Sequence, residues 1–174
     1  MNILALDPAN KMGWALLSAG KITHGTANLT PKPNEQSGQR WFSFRRFLTE
    51  SGTSAGELHA IYYEESVNKF AASAEIFGGF LAHLQHWCML NNIPCHPVHW
   101  GTIKKHWAGT GRADKDMMIF EAKKRGFAPG DNNAADALAV LSTAMHQELI
   151  DLPFARPAVE VKMKTDKKTA KLPF

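Results

Sequence analysis

Ile3-Leu4-Ala5-Leu6-Asp7-Pro8 is the stretch on which the fold turns. Four consecutive apolar residues without polar alternation predict a short strand buried on both faces, as a central strand is. Asp7-Pro8 then punctuates it as a turn. An acidic side chain therefore stands at the end of a buried strand rather than on a solvated face.

Working outward, Gly13-Trp14-Ala15-Leu16-Leu17 reads as a second strand and Lys21 to Leu29 as a third, with Ala19-Gly20 as the turn of an antiparallel meander. Residues 30–38 are proline-rich and polar, hence a loop. From Arg40 the period becomes helical: Trp41, Phe44, Phe47 and Leu48 form one stripe, with Arg40, Arg45 and Arg46 on a solvated flank. Ala60-Ile61-Tyr62-Tyr63 predicts a fourth strand running into Glu64-Glu65. An amphipathic helix follows, with Ile76, Phe77, Phe80, Leu81, Leu84, Trp87 and Cys88 on one side. Ile93 to His99 is a fifth strand, and Pro94 and Pro97 point to an edge position. Three helical stretches complete the pattern: Thr102–Trp107, one between Asp114 as N-cap and Gly126 as C-cap, and one opening after Asn132-Asn133 with Leu138, Leu141, Met145 and Leu149 at helical spacing.

The chain has 174 residues, 44% of them hydrophobic, with five Trp and ten Phe, which is material for one domain with a real core. No apolar run reaches the roughly 18 residues of a membrane span. The start lacks a basic leader and a small-residue cleavage site, so a cytoplasmic protein is expected. Cys88 and Cys95 are expected as reduced, buried thiols. With His96 and His99 they form C-x6-C-H-x2-H, which is not the spacing of the usual zinc pairs. The net charge is +4. Residues 151–174 hold six basic side chains (Arg156, Lys162, Lys164, Lys167, Lys168, Lys171) against three acids (Asp151, Glu160, Asp166), so this segment carries +3 of it. The expected division is a domain over 1–150 and a basic, disordered tail over 151–174, which fits attraction to phosphates as well as simple solvation.

Three acidic positions end elements: Asp7, Glu64 or Glu65, and Asp136 at the start of the last helix. Singly, each has an ordinary explanation in a turn, a surface charge and a helix N-terminus. Jointly they mean something else if the first and fourth strands are neighbours and the last helix packs on them. Clustered carboxylates repel unless a cation neutralises them, and hard oxygen ligands hold Mg²⁺ or Mn²⁺. Two such ions about 3.5–4 Å apart serve phosphodiester cleavage.

The same segments carry a resemblance. Ile3 to Pro8 with Gly13-Trp14-Ala15-Leu16 resembles the opening of RuvC-type Holliday junction resolvases, and Tyr63-Glu64-Glu65-Ser66-Val67 is similar to their second acidic motif. Ile103-Lys104-Lys105 with Gly109-Thr110-Gly111-Arg112-Ala113-Asp114-Lys115 resembles their basic DNA-facing stretch. Ala134-Ala135-Asp136-Ala137-Leu138-Ala139 matches their final acidic helix. The blocks keep their order from residue 3 to about 146 and look most like relatives carried by bacteriophages.

The resemblance implies an α/β, ribonuclease-H-like fold: a five-stranded mixed sheet, three antiparallel strands then two parallel, flanked by helices. It implies two Mg²⁺ ions per protomer (Mn²⁺ substituting) and a homodimer that nicks four-way junctions or other branched DNA symmetrically. The helix from Glu75 to Met89 is the candidate for part of the dimer face. By position, Asp7, Glu64 and Asp136 match metal ligands, with Glu65 as the fallback for Glu64. Lys115 joins them as a catalytic residue, and Lys104, Lys105, Arg112 and Lys115 match DNA contacts. Two positions depart from the pattern. Asn133 stands where an acid or histidine is frequent, with Asp131 a possible substitute ligand. Val67 stands where an aromatic often follows the catalytic Glu, with Phe70 further on. Rival expectations are a nuclease of the same fold acting on flap, fork or RNA-containing substrates, and a non-catalytic branched-DNA binder. An ATP-handling domain of the actin-like class also opens with strand, Asp, turn and strand, but needs two such domains.

Overall fold

A computed structural model of the chain describes residues 1–65 and 71–148. The expected tail at 151–174, and Val67, Phe70 and Leu149, lie outside them. The elements are β1 (Ile3–Asp7), β2 (Lys11–Ser18), β3 (Lys21–Asn28), α1 (Gln39–Ala55), β4 (Ala60–Glu65), α2 (Ala71–Asn91), β5 (Cys95–His99), α3 (Trp100–Ala108), α4 (Lys115–Lys124) and α5 (Asn132–Gln147).

The sheet order is β3-β2-β1-β4-β5. β1 pairs antiparallel with β2, as does β2 with β3; β1 pairs parallel with β4, as does β4 with β5. This is the expected mixed sheet. β1 takes its centre, which is why its four apolar residues are wholly buried. β2 returns to β3 through Ala19 and Gly20, both at positive φ, the backbone that two-residue hairpins need to match strand twist. β5 is an edge strand, where a proline costs no ladder bond.

Alternation along each strand divides the core into two layers. Ile3 and Ala5 join Ala15, Leu17, Ala60 and Tyr62 beneath α3, α4 and α5. Leu4 and Leu6 join Trp14, Leu16, Ile61 and Tyr63 against α1 and α2. The α1 stripe is buried at Phe44, Phe47 and Leu48 as expected. α2 buries Phe80, Leu84, Trp87 and Cys88, while Ile76, Phe77 and Leu81 are half-buried at the margin.

α5 differs from the other helices because alanines and medium-sized residues bury nearly its whole circumference, from Ala134 to Met145 apart from Asp136. Small side chains let it lie close over β1 and β2. It is tied at both ends. Thr26 Oγ1 on β3 donates to Asp131 Oδ1 at 2.6 Å, and the Tyr62 hydroxyl on β4 donates to Glu148. α3 and α4 are clamped to each other: Trp107 Nε1 donates to the Met118 carbonyl, while Arg125 lies 4.1 Å over the Trp107 ring and donates to the Trp107 carbonyl.

Some boundaries move. Ile93 closes α2 rather than opening β5: Asn92 adopts φ +53° and the Ile93 amide donates back to the Cys88 carbonyl. α5 starts at Asn132, and Arg125 rather than Gly126 is the C-cap of α4. Cys88 and Cys95 are free thiols. Cys95 packs toward the α1–α2 layer while His96, the next strand residue, points to the other face, against the Tyr62 ring. Cys95 and His96 therefore do not share an ion. No described helix is long and apolar enough to cross a membrane.

Candidate active site

The parallel strands β1, β4 and β5 end at the same rim of the sheet. Leu6 pairs with Tyr63, so Asp7 and Glu64 follow as the next neighbours on strands about 4.8 Å apart. Asp7 continues the face of Ile3 and Ala5, and Glu64 continues the face of Ala60 and Tyr62. Both acids therefore look toward α5. Glu65 points to the opposite face and is exposed. Strand alternation thus separates two adjacent glutamates that the sequence left as alternatives.

α5 brings the third acid down onto this rim, and Gly13 makes the approach possible. Gly13 pairs with Asp7. A Cβ at Gly13 would lie 1.9 Å from the Asn133 carbonyl oxygen and 3.3 Å from the Ala137 Cβ. The space of one missing methyl is what the first turn of α5 occupies, and Asp136 follows it onto the rim. The sequence showed Gly13 only as the start of a strand. No local signal marks it as a landing site for a helix over a hundred residues away.

Asp131 has one carboxylate oxygen committed to the fold. Its Oδ1 caps α5 by accepting from the Ala134 amide at 3.0 Å and also takes the Thr26 hydroxyl. Its evident task is to fix the start of α5, a role the sequence reading missed because it placed that start later. Asn133 puts its backbone carbonyl against Gly13 and its Oδ1 within 3.3 Å of Asn132 Nδ2. Asn132 also hydrogen-bonds Asp136 and stabilises its charged form.

The acids sense one another. Burial pushes Glu64 up to about 8, with further increments from Asp7 and then Asp136, against a lowering by Lys104. Burial and then Asp136 carry Asp7 up to about 7. Asp136 rises to about 6: burial raises it, Lys104 and Lys115 oppose, Asp131 raises it and the Asn132 hydrogen bond lowers it. Groups in such an environment cannot all ionise near neutral pH without a cation. As the side chains stand, no three Asp, Glu, His or Cys groups among the described residues are spaced to hold one ion. The acids are coupled but spread, as like charges are without a counter-ion. The donor set fits a hard divalent cation: carboxylate oxygens only, half-buried, on one face.

Of the basic candidates, Lys104 and Lys115 are the ones whose charges act on the acids. Lys104 is half-buried, its ammonium held by the Ala113 carbonyl at 2.7 Å. Lys115 opens α4 behind its N-cap Asp114 and is exposed. Lys105 and Arg112 are exposed as well; Arg112 is engaged through its backbone amide with the Thr110 hydroxyl.

No family model matches the chain, and no curated protein matches it in sequence. Solved structures do match. RuvC from Thermus thermophilus, in complex with Holliday junction substrate, superposes with a TM-score of 0.71 at 20% identity, over 86% of this chain and 96% of that one. Another Thermus thermophilus RuvC structure gives 0.69 with the same identity and coverage. The yeast mitochondrial Holliday junction resolvase Ydc2 gives 0.56 at 13% identity, over 84% of this chain and 80% of that one. At these identities the likeness establishes the fold: the chain has the ribonuclease-H-like architecture of these resolvases across most of its length.

Proposed function

From that shared architecture we propose that this chain is a divalent-metal-dependent endonuclease that resolves four-way DNA junctions or closely related branched DNA. The observation that carries the reading is the convergence of Asp7, Glu64 and Asp136 on one face of one sheet rim, each acid's affinity for its proton raised by burial and by like charges. A buried carboxylate group of this kind is costly unless it does something, and binding cations is what it suits.

In this reading Asp7, Glu64 and Asp136 hold Mg²⁺, two ions per protomer, with Mn²⁺ an adequate substitute. Bound there, the ions supply Lewis acidity that lowers the pKa of water and offsets charge on the phosphate. Lys104 and Lys115 contact phosphate oxygens flanking the cleaved bond, and their fixed positive charge favours the transition state over the ground state. The tether of Lys104 to the Ala113 carbonyl supports this, because a pre-aimed ammonium loses little freedom when a phosphate arrives. Lys105 and Arg112, exposed on the same flank, attract the backbone less specifically. Asp131 and Asn133 position α5 beside the ions. A homodimer is part of the proposal, since a two-fold junction offers two equivalent strands to a two-fold pair. The outward side of α2, exposed at Ala82, Gln85 and Met89, is its candidate face.

The test offers labelled four-way junction, Y-fork, RNA–DNA hybrid and linear duplex together with Mg²⁺. The wild type is expected to cut the junction preferentially. Asp7→Asn, Glu64→Gln and Asp136→Asn are each expected to lose cleavage by about 100-fold or more while retaining junction binding. Glu65→Gln is expected to stay within about threefold, a surface-charge effect. Preference for hybrid would replace the substrate. Binding without cleavage by the wild type would make the protein a branched-DNA binder.

A further inference from the structure

Cys88 and Cys95 are the chain's two cysteines, and the fold puts them side by side. Cys88 stands in the last turn of α2 and is 3% exposed, while Cys95 opens the edge strand β5 and is half-buried. Both pack into the layer between the sheet and helices α1 and α2, where their side chains share a hydrogen bond. The three-acid chemistry uses neither.

Backbone bonds hold the pair in place. α2 ends in a Schellman turn: Asn92 adopts φ +53° and its amide donates to the Met89 carbonyl at 3.3 Å, while the Ile93 amide donates to the carbonyl of Cys88 itself at 3.0 Å. Next, the Pro94 carbonyl accepts from the Ile61 amide at 2.9 Å, and Cys95 enters the ladder opposite Ile61. The connection between the two cysteines is thus pinned at both ends. A disulfide forms readily only where the backbone already brings the sulfurs together.

The shared hydrogen bond divides the two roles. Cys88 donates and Cys95 accepts, which pushes the Cys88 thiol up, with burial adding to it, and draws the Cys95 thiol down against the opposing effect of burial. The thiolate is the nucleophilic form of cysteine, so the more accessible partner is also the more reactive one.

We propose that this pair is a peroxide-responsive dithiol, in which hydroperoxide oxidises Cys95 and Cys88 converts the product into a reversible disulfide within the chain. The Cys95 thiolate attacks one peroxide oxygen; an S–O bond forms, the O–O bond breaks and hydroxide leaves. Cys88 sulfur then attacks the sulfenyl sulfur; the S–S bond forms, the S–O bond breaks, and the Cys88 proton departs with the hydroxyl as water. The two thiols lose two electrons and the peroxide gains them. A dithiol reductant reverses the product by exchange. None of this depends on the nuclease reading.

The experiment treats the reduced full-length chain with hydrogen peroxide, blocks remaining thiols with N-ethylmaleimide and maps tryptic peptides by mass. Between Lys69 and Lys104 the sequence has no basic cleavage site, so both cysteines fall in one peptide. The expected product is that single peptide, lighter by two hydrogens, unlabelled, and restored by dithiothreitol. Full labelling of both thiols after peroxide, or a link that joins two copies of the peptide, overturns the proposal. Cys88→Ala keeps a small apolar side chain in the core and is expected to leave Cys95 as a sulfenic acid that dimedone traps, whereas Cys95→Ala should leave Cys88 unmodified. A disulfide in the wild type with no Cys95 adduct in Cys88→Ala, or an adduct on Cys88 alone, overturns the assignment of Cys95 as the site of attack. Brief alkylation of the unsubstituted chain reads the same order without relying on either variant: Cys95 should react roughly 10-fold or more ahead of Cys88, and equal rates would overturn the division of roles.

Discussion

Replacing Gly13 by alanine adds one methyl group to the protein and should disable its rim. The new Cβ would stand 1.9 Å from the Asn133 carbonyl oxygen and 2.5 Å from its carbonyl carbon, and real Cβ atoms essentially never come closer than 3.0 Å to a heavy atom. The contact is backbone, so no side chain can swing aside. The start of α5 must retreat by about 1 Å, carrying Asp136 away from Asp7 and Glu64. Overpacking of this kind costs roughly 1–3 kcal/mol, and for a chain of this size about 2–4 °C of melting temperature per kcal/mol. Misplacement of a reacting constellation by about 1 Å can cost on the order of 100-fold in rate. Thermal melts and single-turnover junction cleavage would measure both effects. Gly78→Ala is the control: its Cβ meets nothing within 4 Å, and alanine in a helix interior is favoured over glycine by about 0.5–1 kcal/mol. Gly13→Ala with unaltered melting and cleavage would refute the account of how α5 is seated.

Further outcomes follow from the same geometry. In EDTA the protein should lose stability as pH rises from about 5 to 8. The folded carboxylates titrate near 7 (Asp7), 8 (Glu64) and 6 (Asp136), above their ordinary 3.8, 4.5 and 3.8, so the folded state keeps protons that the unfolded chain has released. Excess Mg²⁺ should therefore raise the melting temperature more at pH 8 than at pH 5.5; scanning fluorimetry that shows a pH-independent Mg²⁺ effect would count against ion binding by these acids. Asp131→Ala removes both the cap of α5 and the Thr26 bond, and should cost about 1–2 kcal/mol. Thr26→Val should cost less, leaving the cap in place, and denaturant titration of the two variants would separate the contributions.

The order of elements was legible because each signal is local. The apolar run at Ile3–Leu6, the Phe44–Phe47–Leu48 stripe and the edge-strand prolines Pro94 and Pro97, before and within β5, each describe a segment locally, and the segments fell in the expected order. The boundaries that moved did so at caps. Ile93 looked like strand but completes the end of α2, and Asp131, expected as a substitute ligand in the loop, also caps α5. Both roles depend on where a neighbouring helix stops, which periodicity leaves open by a few residues.

By itself the sequence determined that buried strands end in acids, that an alanine-rich helix carries another, and that basic residues lie between. Only the tertiary structure decided which acids meet. The Leu6–Tyr63 register puts Glu64 on the face of Asp7 and turns Glu65 away, and the bare Cα of Gly13 admits Asp136. Pairings between residues 57 or more positions apart follow from strand registry and side-chain volume across the whole core, which no window of local sequence contains.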